Sequence, residues 1–272
     1  MDRLSAKQRV TILIAMFVVS VVTVLFVAPI PQDPAYHLFA DNRPLLGIAN
    51  FGDVMSNLGF AVVGIMGVWS VFGPRRLELF DSPRDAWPYQ TFFMGVGLVS
   101  LGSAYYHLAP DNAPLFWDRL PMTIAFMALL YAILADRVEG IAERYRWLLP
   151  LLVAAGFASL LYWDWTESLG RGDLRFYALV QFYPMLALPV ICWLFPKARY
   201  TGGGYLIWVI FWYASAKGLE HFDGEVFVLL GHTVSGHSLK HLASAMATFM
   251  LWHMVVGNGA RLSDAGDKLS TS

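Results

Sequence analysis

The sequence predicts an all-α integral membrane helix bundle, and three observations carry that prediction. Hydrophobic residues make up 57% of the 272 residues and charged residues 14%, against about a quarter charged in an ordinary globular domain. A chain of this size cannot hide so much apolar surface from water, so the surface itself must face lipid. The apolar residues also fall in continuous runs of roughly the 20 residues a helix needs to cross hydrocarbon. A membrane β-barrel would show alternating segments of about ten instead. Turn chemistry then punctuates the runs, at Pro29 and Pro31, Gly73-Pro74, Pro110-Asp111-Asn112, Pro196, and Gly202 to Gly204.

Eight runs qualify, at roughly 10–30, 54–73, 88–109, 115–135, 147–165, 173–195, 204–222 and 237–257. The first follows Arg3, Lys7 and Arg9 and could be a signal peptide. Its apolar run is longer than the usual h-region, and Pro29 and Pro31 crowd the cleavage zone, so an uncleaved helix is preferred. Cleavage would leave seven spans. The domain plan is an extra N-terminal transmembrane helix (1–30), an outer-face loop (31–53), a seven-helix core (54–257) and a cytoplasmic tail (258–272) expected to be disordered. Tyr36, Phe39, Leu45, Leu46 and Phe51 give the outer loop the composition of an ordered segment.

Orientation follows from the basic residues. With strict alternation, thirteen of the nineteen Lys and Arg fall on the side of the N-terminus, including Arg75, Arg76, Arg84, Arg137, Arg144, Arg146, Lys197, Arg199, Arg261 and Lys268. Arg43, Arg119, Arg171, Arg175, Lys217 and Lys240 lie on the other. Both termini are therefore expected in the cytoplasm. The absence of an N-x-[ST] sequon fits a bacterial inner membrane, with the outer face periplasmic. Net charge −1 without a basic run gives no electrostatic footprint for nucleic acid. The single Cys192 offers neither a disulfide nor a thiolate metal site.

Ionisable residues in lipid are costly and commonly functional, so their depth matters more than their number. Ser103 and His107 lie four apart, on one helical face near the outer end of the third run. Asp118 opens the fourth run across a short turn, and His237 and His241 lie four apart at the outer start of the eighth. Alone, a His pair at this spacing reads equally well as interfacial histidines bonded to headgroups or loop carbonyls. A third His, an Asp and a Ser at the same depth point to a metal. Three His ligands and an open fourth position form a catalytic zinc pattern, in which the metal lowers the pKa of bound water towards about 7.

The stretches S-A-Y-Y-H at 103–107, W-D-R-L-P-M at 117–122 and S-G-H-S-L-K-H at 235–241 resemble the alkaline ceramidase family. That family belongs to a superfamily of seven-transmembrane zinc hydrolases, with the progestin/adiponectin-type receptors and GPI-remodelling proteins. The resemblance covers about residues 41–257 and leaves the first span as an extra. It implies that His107, His237 and His241 bind zinc, that Asp118 is the general base and that Ser103 orients the water or stabilises the oxyanion. Read without it, Ser103 could be a helix-packing hydroxyl and Asp118 an N-cap. The stretch N-F-G-D-V-M-S-N-L at 50–58 looks like the family's calcium-binding segment, with Asn50 where the family has Glu. Asp41, Asn50 and Asp53 would supply only part of the oxygen cage calcium needs, and Asn57 is expected to make an interhelical hydrogen bond.

The other polar groups read as follows. Lys217, Glu220, His221 and Asp223 form a rim ion-pair cluster, and Trp163 to Glu167 an interfacial aromatic belt with a solvated edge. His37, His232 and His253 lack partners at ligand spacing. The function expected from the resemblance is a zinc-dependent amidase that cleaves a ceramide-like N-acyl lipid into a fatty acid and a sphingoid-type base. The alternatives are a zinc hydrolase acting on a different acyl lipid, ester or amide, and a non-enzymatic metal-bearing membrane receptor.

Overall fold

The structure, a computed structural model, describes residues 4–74 and 76–270, with side chains described as far as Gly257. Among them are eight long helices: α1 (Ala6–Phe26), α2 (Phe51–Phe72), α3 (Trp87–Leu108), α4 (Asn112–Arg137), α5 (Leu148–Ser168), α6 (Arg175–Leu194), α7 (Gly203–His221) and α8 (Gly236–Ser270). Each corresponds to one apolar run. The fold is an all-α helical bundle, and α1, α2, α4, α5 and α6 are long and apolar enough to cross a membrane. The other three interleave polar residues with the apolar ones, and many of those polar residues belong to the site described below. Residues 271–272 of the expected tail, and the side chains of 258–270, lie outside the described residues.

Hydrogen bonds at the two ends show that the helices run alternately up and down. At one end, Leu174 N donates to Ile30 O (2.8 Å) and Gln32 N to Glu167 Oε1 (2.6 Å), joining the exit of α1 to α5 and α6. Asn50 Nδ2 donates to His107 O (2.7 Å), tying the start of α2 to the end of α3. At the other end, Arg137 reaches Thr201 Oγ1 and Phe195 O, both at 3.0 Å. There Asp136 accepts from the backbone N–H groups of Arg199 (2.9 Å) and Thr201 (2.8 Å), and Gln90 Nε2 donates to Val71 O (3.0 Å). This second end carries Arg76, Arg84, Arg137, Arg144, Arg146, Lys197 and Arg199 and is called the basic end.

The core forms where α3 meets α2 and α4. Phe93, Val96 and Ile133 are buried there, and Leu188 of α6 and Met254 of α8 extend the same core. Two close approaches set the spacing. Gly64 of α2 lies against the backbone of Gly97, and Gly102 of α3 lies against the carbonyl of Trp117 in α4. Small residues at such crossings let helices pack by backbone contact where lipid supplies no hydrophobic drive between them. The crossing at Gly102 also fixes where Ser103 and Asp118 meet.

Helix α1 buries none of its residues and rests on the side of α6. Phe17 packs edge-on against Tyr183 (5.5 Å), Arg9 Nη1 donates to Leu194 O (3.0 Å), and Arg175 Nη1 donates to Val27 O (2.5 Å). Leu45 and Leu46 of the outer loop are exposed, at 55% and 84%, while Tyr36 and Phe39 pack against a buried cluster. One expectation is corrected. Trp163 and Thr166 are buried rather than part of a belt, because they face the inner side of α5, while Trp165 points out.

A methyl group at Gly102 would be driven into the Trp117 carbonyl, whereas one at Gly218 meets open space. Gly102→Ala is expected to cost about 1–3 kcal/mol through overpacking. Thermal melting in detergent should show a Tm lowered by several degrees for Gly102→Ala and nearly unchanged for Gly218→Ala.

Candidate metal centre

His107 comes from the last turn of α3, and His237 and His241 from the first turns of α8. One ligand nitrogen from each lies within 4.8 Å of the others. The three ring centroids are 4.9 Å apart pairwise. The residues are 1%, 4% and 3% exposed, which leaves the rings almost no access to bulk water. Both nitrogens of His107 and Nε2 of His241 have no hydrogen-bond partner. A buried polar atom without a partner costs roughly 1–3 kcal/mol, and a metal taking one nitrogen from each ring would satisfy His241 Nε2 and one of the two free nitrogens of His107. This buried group can hold a metal ion.

The neighbours orient the rings. Ser56 Oγ lies 2.8 Å from His241 Nδ1, leaving Nε2 as the free atom. Such outer hydrogen bonds fix the tautomer and aim of a ligating imidazole. Asp223 Oδ1 accepts from His237 N (2.7 Å) at the N-terminus of α8, and its Oδ2 accepts from Ala40 N (2.9 Å). The Asp223 carboxylate therefore caps α8 and pins the outer loop, rather than joining a rim ion pair. Phe39 from that loop sits 4.7 Å from the His107 ring and 4.6 Å from the His237 ring, covering the triad.

Ser103 lies one turn before His107, and its hydroxyl is close enough to the Asp118 carboxylate to favour its charged form. Both are buried. Asp118 is well inside α4, whose N-cap is Asp111, so the N-cap reading of Asp118 does not hold. Glu220 accepts from Lys217 (2.6 Å) and Lys240 (3.3 Å), and Lys240 Nζ also lies 3.1 Å from His237 Nε2. The expected cluster at the end of α7 therefore reduces to Lys217 and Glu220, with Lys240 of α8 added.

The upstream polar set is brought to the same end, but its groups are engaged separately. Arg43 binds Asp41 through Nε and Nη2, both at 2.7 Å, and this pairing holds the Asp41 carboxyl below the usual carboxylate range. Asn50 is used on His107 O. Asp53 Oδ1 accepts from Ser235 (3.1 Å) and Ser238 (2.7 Å), joining α2 to α8. Asn57 Nδ2 donates to Asp53 O (2.8 Å), one turn earlier in its own helix, rather than across to another helix as expected. Among the described residues the three-histidine cluster is the single group of metal-binding geometry. His37 bonds Tyr106 and Asn112, and His253 bonds Tyr205.

A cavity of about 350 Å³ opens beside the triad. Its polar end is lined by Ser103, Asp118, Arg119, Glu220, Lys240 and His241. Its remainder runs between α2, α3, α4, α6, α7 and α8 and is apolar, with Val96, Val99, Phe126, Leu129, Met185 and Leu251 on the wall. Ser56, Phe39 and Arg119 escape the sequence reading, because neither hydropathy nor spacing tells which loop ring folds inward or which helix-end cation is buried. Only the S-N-L stretch of α2 gives a signal for Ser56.

The protein as purified should contain about one metal ion per chain by plasma mass spectrometry. His237→Ala combined with His241→Ala should abolish that content, and metal retained in the double variant would remove the site. Ser56→Ala should weaken metal affinity roughly 10–100-fold in a chelator competition while leaving the stoichiometry near one. No protein-family model matches the chain, and a search of curated proteins finds no match.

Proposed function

We propose that the protein is a membrane-embedded zinc-dependent amidase acting on an N-acyl lipid of ceramide-like build. The observation that carries this reading is a buried triad that reaches, through His241, the polar end of a cavity whose remainder is apolar. An acyl chain fits the apolar depth, and its carbonyl then arrives where the histidines and the Ser103–Asp118 pair converge. Cavities of a few hundred Å³ with an apolar wall and a few convergent polar groups suit ligands of this size.

His107, His237 and His241 would hold the zinc through neutral imidazole nitrogens, with Ser56 keeping the His241 ring turned. Zinc held there supplies Lewis-acid polarisation of the scissile carbonyl and acidifies water in its open position. Asp118 takes a proton from the attacking water and delivers it to the departing nitrogen. The C–N bond breaks as the water oxygen joins the acyl carbon, giving a fatty acid and a free amine. Ser103, beside Asp118 on the cavity wall, would donate its hydroxyl proton to one carboxylate oxygen and leave the other for the proton transfer. Phe39 keeps bulk water off the histidines. The same machinery would cleave an ester, so the leaving atom is for experiment to name.

The clustering of basic residues at one end supports a cytoplasmic position for that end, with the termini inside and the triad near the outer face, periplasmic in a bacterial inner membrane.

Lipid extracts from cells making the wild-type protein should show a fatty acid and its matching amine rising together by mass spectrometry. A fatty acid rising with an alcohol would identify an ester substrate, and no product against any lipid would favour a metal-bearing receptor. Asp118→Ala should lower turnover 10²–10⁴-fold, and full turnover in that variant would refute its role. For topology, Glu225→Cys should react with a membrane-impermeant maleimide in spheroplasts, and Arg144→Cys only after lysis. The reverse pattern would invert the orientation.

A further inference from the structure

Arg119 is 5% exposed and stands one residue after Asp118, in the wall of the same cavity. Three aromatic rings surround its guanidinium: Trp163 and Tyr177, each 4.7 Å from the ring centroid to Cζ, and Tyr36 at 5.5 Å. Nη2 donates to Gln32 Oε1 (2.8 Å). Nη1 is buried and has no partner. Among the described residues no carboxylate pairs with Arg119, whereas Lys217 and Lys240 both have Glu220.

A guanidinium cannot shed its charge as a lysine can, so burial without a counter-ion is a standing cost. The rings stabilise the faces of the cation, but they do nothing for the in-plane N–H bonds. Those bonds form a planar fork that fits two oxygens of a carboxylate or phosphate. The surroundings also hold the fork in place before any ligand arrives, because Trp163 and Tyr177 are themselves packed into the buried cluster of Tyr106, Leu115 and Leu160. The polar end of the cavity carries three cationic side chains, Arg119, Lys217 and Lys240, against the acids Asp118 and Glu220. An arriving anion would balance that excess.

We propose that Arg119 is the receptor for an oxyanion, carboxylate or phosphate, on the amine side of the lipid, so that the substrate class is an anionic N-acyl lipid. This rests on the acyl-lipid reading of the site given above. With the acyl chain in the apolar depth and the amide beside Asp118, the group attached to nitrogen lies at the polar end, where the next residue of α4 presents its free N–H. Arg119 is thus a specificity-determining residue, separate from the proton-transfer pair.

Ether lipids without a carbonyl test this whether or not the protein hydrolyses anything. Oleyloxyacetate and 2-(oleyloxy)ethyl phosphate carry the anion, and 2-(oleyloxy)ethanol is their neutral counterpart. Their binding to the full-length protein, as purified in neutral detergent, is read from tryptophan fluorescence. At least one anionic ether should bind about tenfold or more tightly than the neutral one, the scale of a charged hydrogen bond. Which anion gains tells carboxylate from phosphate. Arg119→Gln should bring the ratio close to one, and Arg119→Lys should keep part of it. A ratio near one in the wild-type protein, or an unchanged ratio in Arg119→Gln, overturns the proposal. Oleate binding as tightly as the better ether would also overturn it, by assigning the site to the acyl carboxylate. Loss of hydrolysis with the anion preference intact would sink the amidase reading and leave Arg119 as an anion site.

Discussion

Three imidazoles face one another inside the bundle, two of them with nitrogens that nothing in the protein satisfies, and the architecture of the site end follows from holding them there. Each unpartnered nitrogen opposes folding, since burial removes its water and the fold offers no substitute. The surrounding structure nonetheless over-determines their positions. Ser56 turns one ring, Asp223 fixes the helix turn beneath another, and Asn50 holds the carbonyl of the residue that bears the third. A fold that spends polar contacts on aiming groups it leaves unsatisfied has the character of a binding site prepared for a cation.

The up-and-down topology is what makes the convergence possible. Helix α3 ends where α4 and α8 begin, so residues about 130 positions apart in sequence, such as His107 and His237, share one depth. Glycine at 102 lets α3 and α4 touch by backbone, which brings Ser103 and Asp118 to neighbouring positions on the cavity wall. The same helices line the cavity further in, where their side chains are apolar. The three histidines, the Ser103 and Asp118 side chains and the apolar cavity therefore arise from a single set of crossings, not from separate loops.

The histidines and the Ser–Asp pair were legible in the sequence because helical spacing and distance from a span end are both one-dimensional properties. His237 and His241 at four residues apart must share a face, and Pro110 marks the end that His107 shares with Asp118. What could not be read was direction around the helix. Arg119 counts as an ordinary outer-side charge in sequence, yet it turns inward between Tyr36, Trp163 and Tyr177. Trp163 was assigned to an interfacial belt for the same reason, since its neighbours Asp164 and Trp165 are polar or exposed. Asn57 bonds back to the Asp53 carbonyl of its own helix, a choice of partner that composition does not reveal. Asp223, read as one more rim charge, proves to cap a helix fourteen residues away.

The central claim is that His107, His237 and His241 together hold one zinc ion, and the local structure around the metal answers it most directly. X-ray absorption at the zinc edge, on the full-length protein as purified, resolves both the number of imidazole ligands and the presence of sulfur. Three imidazole nitrogens completed by a light oxygen donor are the expected result. Absence of zinc, fewer than three imidazoles, or a sulfur ligand would contradict the account.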